Sequence, residues 1–401
     1  MTKSNEVQPV ILLSPPHEEN KSLTPLRSLT RKLSNLSLRP SSRAIPAPLQ
    51  IDSTLLIPSS EDALIINTNI LSTPTLSNNS SLYLPPSPSF SACSTPTSER
   101  AQPSVILQDK YMDHKKGKVI GSGATAKLRL LEPLDPTKKT VVVVKTFRKR
   151  EQKEESKKSY DKRMASEFCI AKTLSHRHVI QVFDLLKDKK GRWCTVMEYC
   201  SGGDVFSVLQ KYALTDQEID CLFKQLLLGL QHVHQSGVAH RDIKPENLVM
   251  THDGILKIAD FGVADVVQSC FDTETSASYG RCGSEPYWSP ELYQTAEGYD
   301  AKALDIWSCA ITWHCLIYRQ IPFFKSSPED PQYVVFLNQA PLRTWVPLSK
   351  CNPDEEDCLY GMLDPNPLTR WTVDRCVESA WMQSVSVCYE SYERHKHHFV
   401  L

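Results

Sequence analysis

His240-Arg241-Asp242-Ile243-Lys244-Pro245-Glu246-Asn247 is a largely polar octet set between two short apolar runs, Val238-Ala239 before it and Leu248-Val249-Met250 after it. Such a stretch reads as a loop anchored at both ends by buried segments, the usual mounting for chemically active side chains. Within it Asp242 offers a carboxylate to accept a proton, Lys244 a cation to neutralise phosphate, and Asn247 an amide oxygen to hold a metal. Thirteen positions beyond Asn247 stands Asp260-Phe261-Gly262, at the end of a predicted strand, Leu256-Lys257-Ile258-Ala259. A carboxylate there can bind Mg²⁺ while the glycine lets the backbone turn.

The two stretches, in this order and at this spacing, resemble the H-R-D-x-x-x-x-N catalytic loop and the D-F-G metal loop of eukaryotic protein kinases. That resemblance implies an α+β chain with the bilobal protein-kinase fold: a small β-rich N-lobe with one key helix, a larger helical C-lobe, and a disordered tail in front. It places a Ser/Pro-rich tail over residues 1–105, the kinase domain over 111–384 and a C-terminal extension over 385–401. The domain divides into an N-lobe at 111–197, a hinge at 198–203 and a C-lobe at 204–384. It implies ATP and Mg²⁺, with Asp242 as proton acceptor, Lys244 beside the transferred phosphoryl group, and Asn247 and Asp260 on the metal.

Upstream, Lys118 to Leu131 reads as two strands joined by a turn of small residues. Gly121 and Gly123 let backbone amides approach phosphate oxygens. Ala126 stands where a third glycine would complete G-x-G-x-x-G. Val141-Val142-Val143-Val144-Lys145 is a β-branched buried strand ending in a lysine, which needs a partner because an unpaired buried ammonium is costly. Glu167, on the helical stretch Ala165–Leu174, is the candidate. Thr195-Val196-Met197-Glu198-Tyr199-Cys200-Ser201-Gly202-Gly203-Asp204 resembles the strand and hinge between the lobes. By that likeness Met197 borders the adenine, the backbone of Glu198 and Cys200 bonds its edge, and Asp204 faces the ribose. Ile120, Ser122, Ala124, Thr125, Leu128, Val143 and Val249 complete the implied nucleotide site.

Downstream of the hinge, Asp216–Ser236 is predicted as one long helix, with Thr215 as N-cap and Gly237 as its stop. Its leucines are core, and His232 and His234 are expected to pack or face solvent. After Asp260, a stretch rich in Ser, Thr and Tyr ends at Cys282-Gly-Ser-Glu-Pro-Tyr-Trp-Ser-Pro-Glu291 and resembles an activation segment with Ser289 in the alanine place of A-P-E. Arg241 needs an anion, and a phosphorylated segment is the usual supplier. Thr273, Thr275, Ser276, Ser278 and Tyr279 are the candidates, Ser278 the best placed by spacing. Glu291 is expected to pair with Arg370, and Asp305 to brace the catalytic loop. Lys244 and Ser284 resemble the Ser/Thr class, so the implied partners are proteins with Ser or Thr acceptors. Glu167-Phe-Cys-Ile, Met197-Glu-Tyr-Cys, Asp260-Phe-Gly-Val-Ala-Asp and Asp305-Ile-Trp-Ser-Cys look closer still to the fungal halotolerance and nitrogen permease reactivator kinases. Those kinases regulate plasma-membrane nutrient and cation transporters and carry long Ser-rich tails.

Composition bounds the rest. The 401 residues carry zero formal net charge, which speaks against a nucleic-acid partner held by bulk charge. Thirteen cysteines without a C-x-x-C pair read as reduced thiols of a cytoplasmic protein rather than a zinc site. The N-terminus has no apolar signal region, and Ile306–Ile317 is a core helix too short to span a bilayer. In the tail, Ser14, Thr24, Thr73, Ser87 and Thr95 precede prolines and are candidate phosphoacceptors. Arg27–Arg43 holds five basic residues and no acidic one, and is either a patch with no fixed partner or a peripheral contact to an anionic membrane. A monomer is expected. The competing reading is a pseudokinase or docking scaffold, for which Ala126 and Ser289 are the only support.

Overall fold

A computed structural model describes residues 105–123, 125–138, 140–149, 155–268, 275–294, 298–390 and 396–399. The tail, Ala124 and Thr273 therefore lie outside the described residues. The first layer is an antiparallel sheet of five strands in the order β1-β2-β3-β5-β4: β1 His114–Ser122, β2 Ala126–Pro133, β3 Val142–Phe147, β4 Val182–Lys187 and β5 Trp193–Glu198. The valine run makes β3 central because branched side chains on both faces find cover. Val142 and Val144 pack with Leu107, Leu131, Cys194 and Val196 on one face. Opposite β3, α1 (Lys157–Thr173) follows Ser156, whose side chain accepts from Ser159 N at 3.1 Å as an N-cap. Register places Lys145 across from Leu128 and Thr195.

Beyond β6 (Gly203–Asp204) and α2 (Val205–Lys211), α3 (Asp216–Gln235) forms the spine of the helical lobe. Thr215 and Glu218 close a capping box at its start, and Gly237 ends it at φ +75°. A Cβ at Gly237 would meet Gln268 O at 2.1 Å, so the stop is glycine for steric as well as conformational reasons. Short strands β7 (Val238–Ala239), β8 (Leu248–Met250), β9 (Leu256–Ile258) and β10 (Asp265–Val266) frame the loops that follow. The expected core helix extends to α4 (Ala301–Tyr318), and Trp307 packs at its heart with Phe323, Tyr333 and Phe336. No helix among the described residues is long and apolar enough to cross a membrane.

Glu291 and Arg370 meet as a fork, at 2.8 and 2.9 Å, and Arg370 also donates to Ala303 O at 2.9 Å. Both side chains are buried, so removing the Arg370 cation takes away two charge-assisted hydrogen bonds from a buried carboxylate. Arg370→Ala should cost about 3–5 kcal/mol, read as a lower urea midpoint at unchanged slope.

The C-terminal extension packs back on this lobe. Phe399 joins the main core, Tyr389 OH sits 2.5 Å from His178 Nε2, and Arg177 stacks on the Tyr389 ring at 4.2 Å. Burial presses the His178 imidazole down to about 4, and does the same to His314. Both rings are neutral when folded but gain a proton near 6.5 once unfolded. The unfolded state therefore binds more protons below that pH, and stability declines as pH falls from 6.5 towards 4. At about pH 5 the two histidines together should cost on the order of 2–4 kcal/mol. Thermal melts across pH should show that slope, and His178→Gln with His314→Gln should flatten it.

Candidate active site

Asp305, fully buried in α4, holds the catalytic loop by its backbone. Its oxygens accept from His240 N and Arg241 N, each at 2.7 Å, and from His234 Nε2 at 2.9 Å. His234 thus serves as a buried brace. Arg241 and Asp260 both take the left-handed conformation, φ +64° and +65°, which costs a non-glycine residue and persists only where the surroundings enforce it. His240 links the two strained positions: its Nε2 lies 3.1 Å from Ala259 O, its Nδ1 accepts from Asp242 N at 3.2 Å, and its ring meets Phe261 edge-on.

One oxygen of Asp242 is fully engaged. Oδ2 accepts from Lys244 Nζ at 2.7 Å and from Asn247 Nδ2 at 2.9 Å, while Asn247 Nδ2 also donates to Asp242 O at 2.7 Å. Lys244 donates in addition to Ser284 Oγ at 2.6 Å. Oδ1 is buried and has no hydrogen-bond partner among the described residues. An acceptor of that kind is costly unless something completes it. Gly283, at φ +75°, allows the activation segment to pass beside it, since a Cβ there would lie 2.4 Å from Arg241 O.

Across the cleft, Lys145 Nζ donates to Glu167 Oε1 and to Asp260 Oδ1, both at 2.7 Å. Burial works against the ammonium, but the Asp260 and Glu167 charges outweigh it and hold Lys145 above its ordinary value. The two carboxylates respond unequally. Burial lifts Glu167 despite Lys145, whereas at Asp260 burial is outweighed by Lys145 acting together with His240 and Lys244, and the group is lowered. Asp260 therefore keeps the firmer negative charge, consistent with its side chain opening half its surface to the cavity.

A cavity of about 270 Å³ lies between sheet and helical lobe. Of the residues singled out in the sequence, Ile120, Ser122, Gly123, Thr125, Ala126, Leu128, Val143, Lys145, Glu167, Met197, Glu198, Cys200, Asn247, Val249 and Asp260 line it. Gly121 stands just behind it, paired with Leu128 in the sheet. Asp242 and Lys244 lie outside the lining, joined to it through Asn247. Asp204 is not part of the lining: its carboxylate caps α2, accepting from Ser207 N at 2.7 Å and Ser207 Oγ at 2.8 Å. Ala126 opens β2 and packs against Phe147 and Met164, so its methyl group finds cover. The lining also includes Ala171, Ile180 and Val182, which no motif announced; Tyr199 of the hinge stretch, Glu246 of the catalytic loop, and Ala259 and Phe261 at the D-F-G stretch lie in or beside quoted motifs and could have been read from them.

Arg241 already has an anion. Its guanidinium donates to Val263 O at 2.7 Å and lies 3.5 Å from Asp265 Oδ2, which also accepts from Ser278 Oγ at 2.8 Å. Ser278 is 1% exposed, so the acceptor favoured by spacing is tucked in, while Thr275, Ser276 and Tyr279 are exposed. Asp265→Asn should lower turnover about two- to fivefold, the scale of a partly exposed ion pair, measured as initial rate on a fixed peptide at saturating ATP.

The protein kinase domain family matches residues 114–382. The serine/threonine-protein kinase hal4 of Schizosaccharomyces pombe is 38% identical over 281 residues, 67% of this chain and 43% of that protein. HAL4/SAT4 of Saccharomyces cerevisiae is 35% identical over 285 residues, 68% of this chain and 46% of that protein. The nitrogen permease reactivator protein of the same yeast is 31% identical over 317 residues, 69% of this chain and 39% of that protein. The chain thus spans somewhat less than half the length of these relatives. A match across both lobes, on a fold that gathers a strand lysine, a loop asparagine and a D-F-G aspartate about one cavity, has one meaning: this chain belongs to the protein kinase family and resembles its fungal halotolerance and nitrogen permease reactivator members.

Proposed function

We propose that the chain is a serine/threonine protein kinase that transfers the γ-phosphoryl group of ATP to protein hydroxyls. The observation that carries this reading is Asp242: one oxygen fixed by Lys244 and Asn247, the other buried and without a hydrogen-bond partner among the described residues. A substrate hydroxyl would donate to that free oxygen and pass its proton there as its own oxygen attacks phosphorus. Lys244, tied to Ser284, offsets charge on the group in transfer. Lys145, oriented by Glu167, would grip the inner phosphates. The Gly123 amide, expected to approach them, is instead spent on Ala126 O at 2.9 Å, which closes the turn. At the hinge Glu198 N is spent on Gln181 O, which leaves the donor role toward an adenine edge to Cys200.

The donor set suits Mg²⁺, a hard cation that takes oxygen ligands: the Asp260 carboxylate with its firm charge, and the Asn247 carbonyl oxygen, whose amide nitrogen is committed to Asp242. Bound there, the ion would neutralise phosphate charge. Most of the rate gain would be positioning and electrostatics.

The name of the nitrogen permease reactivator extends the proposal to the control of membrane transporters in a fungus. The sequence expectations add a cytoplasmic monomer with no nucleic-acid partner, and Arg27–Arg43 as either a patch with no fixed partner or a peripheral contact to anionic lipid. A degenerate peptide library phosphorylated by the purified chain, read by mass spectrometry, tests the activity. Phosphate on Ser and Thr but not Tyr is expected; nucleotide binding without transfer would mean a scaffold instead. Phosphoproteomics of plasma-membrane fractions, with and without the kinase, tests the substrate class.

A further inference from the structure

Cys221, on the buried face of α3, meets two residues of the C-terminal extension, Cys388 and His397. One donor atom from each lies within 4.8 Å of the others, and the three residues are 0%, 5% and 2% exposed. Two bonds of about 2.3 and 2.0 Å at a tetrahedral angle would set a sulfur and a nitrogen roughly 3.5 Å apart on one zinc ion. Cys221 Sγ and His397 Nε2 are 3.6 Å apart. Two N–H groups already point at one of the sulfurs: Gln225 Nε2 donates to Cys221 Sγ at 3.2 Å and Cys388 N donates to it at 3.3 Å. Without a metal, the Cys388 thiol and burial push the Cys221 thiol up, so a cation is what would draw its proton off. Gly254 makes room for the imidazole, since a Cβ at that position would lie 2.6 Å from His397 Cδ2.

We propose that Cys221, Cys388 and His397 form a structural Zn²⁺ site that fastens the C-terminal extension to the helical lobe. Two soft thiolates and an imidazole select zinc over the hard cations that carboxylates take. On binding, both thiols release their protons to solvent, the ring stays neutral, and the two thiolates balance the charge of the ion, with water in the fourth position. Gln225 connects this site to the catalytic machinery: its Oε1 accepts from Leu256 N at 2.9 Å, at the start of β9, the strand leading to Asp260. Spacing along the chain could not announce the site, because 167 positions separate the two cysteines.

The full chain, purified without a polyhistidine tag, should carry about one zinc per molecule by mass spectrometry of the metal. Cys388→Ser and His397→Ala should each lose it, while Cys169→Ser, at an exposed position on α1, should keep it. Gln225→Leu should weaken zinc binding about 10- to 100-fold. Should the cysteine or histidine variants fail to fold, the wild type decides: after zinc removal, Co²⁺ should produce a thiolate-to-metal charge-transfer band. Wild-type protein with neither zinc nor that band would overturn the site. So would thiol titration showing Cys221 and Cys388 joined as a disulfide.

Discussion

Asp242→Asn should lower phosphoryl transfer about 10²- to 10⁴-fold, the span that a positioned general base contributes, while leaving the affinity for ATP within about twofold of wild type. The split follows from the two oxygens. Asparagine can keep an oxygen where Oδ2 accepts from Lys244 and Asn247, so the loop keeps its shape. Its amide nitrogen then stands in place of Oδ1, the atom with no partner among the described residues, and presents donors where the hydroxyl proton must go. The cavity lining does not include Asp242, so nucleotide contacts are untouched. Single-turnover rates with a peptide substrate, set beside a nucleotide titration, would show the split. Wild-type turnover in the variant would remove Asp242 from the chemistry and the proposed kinase reaction with it.

What the chain discloses before folding depends on how locally each feature is written. The loop from His240 to Asn247 and the Asp260-Phe-Gly turn are short and chemically dense, so residue type and spacing are enough to read them. Lys145 and Glu167 could be matched because a charged residue ending a valine strand must find an opposite charge, and the two atoms meet at 2.7 Å. Thr215 and Gly237 bound α3 for backbone reasons that act within one turn. Other assignments turn on competition that no motif records. Asp204, expected to face a ribose, also caps α2 through Ser207 three residues on, a second role the hinge motif does not record. The loop motif marks Arg241 as needing an anion, and it does not record that Asp265, within the same chain, lies beside it at 3.5 Å. The apolar walls Ile180 and Val182 resemble any other strand residues, and Cys221 meets Cys388 only because the extension folds home.

Lys145→Met should bring the second large loss, about 10²- to 10³-fold in turnover, the scale of deleting one charge-stabilising donor. Its stability signature should be equally distinctive. The ammonium separates two carboxylates, so its removal leaves Glu167 and Asp260 facing one another without a cation. In the wild type, Asp260 is held below its ordinary value, so it stabilises the fold above its unfolded pKa, and that gain is lost as pH falls through the lower folded value. In the variant the sign reverses. Mutual repulsion and burial raise both groups, the folded state binds protons more readily than the unfolded one, and stability relative to wild type rises as pH falls below about 7. Adding Glu167→Gln should restore much of the lost stability at neutral pH without restoring turnover, because the repulsion is removed but the phosphates still lack their cation. Lys145→Arg should not rescue turnover either, since a planar fork cannot occupy the point at which one ammonium meets two carboxylates at 2.7 Å. Melting temperatures of the three variants and the wild type between about pH 5 and 8, taken with their rates, would separate a lysine that merely ties the lobes together from one that serves the nucleotide: recovery of turnover by the double variant would make it structural alone.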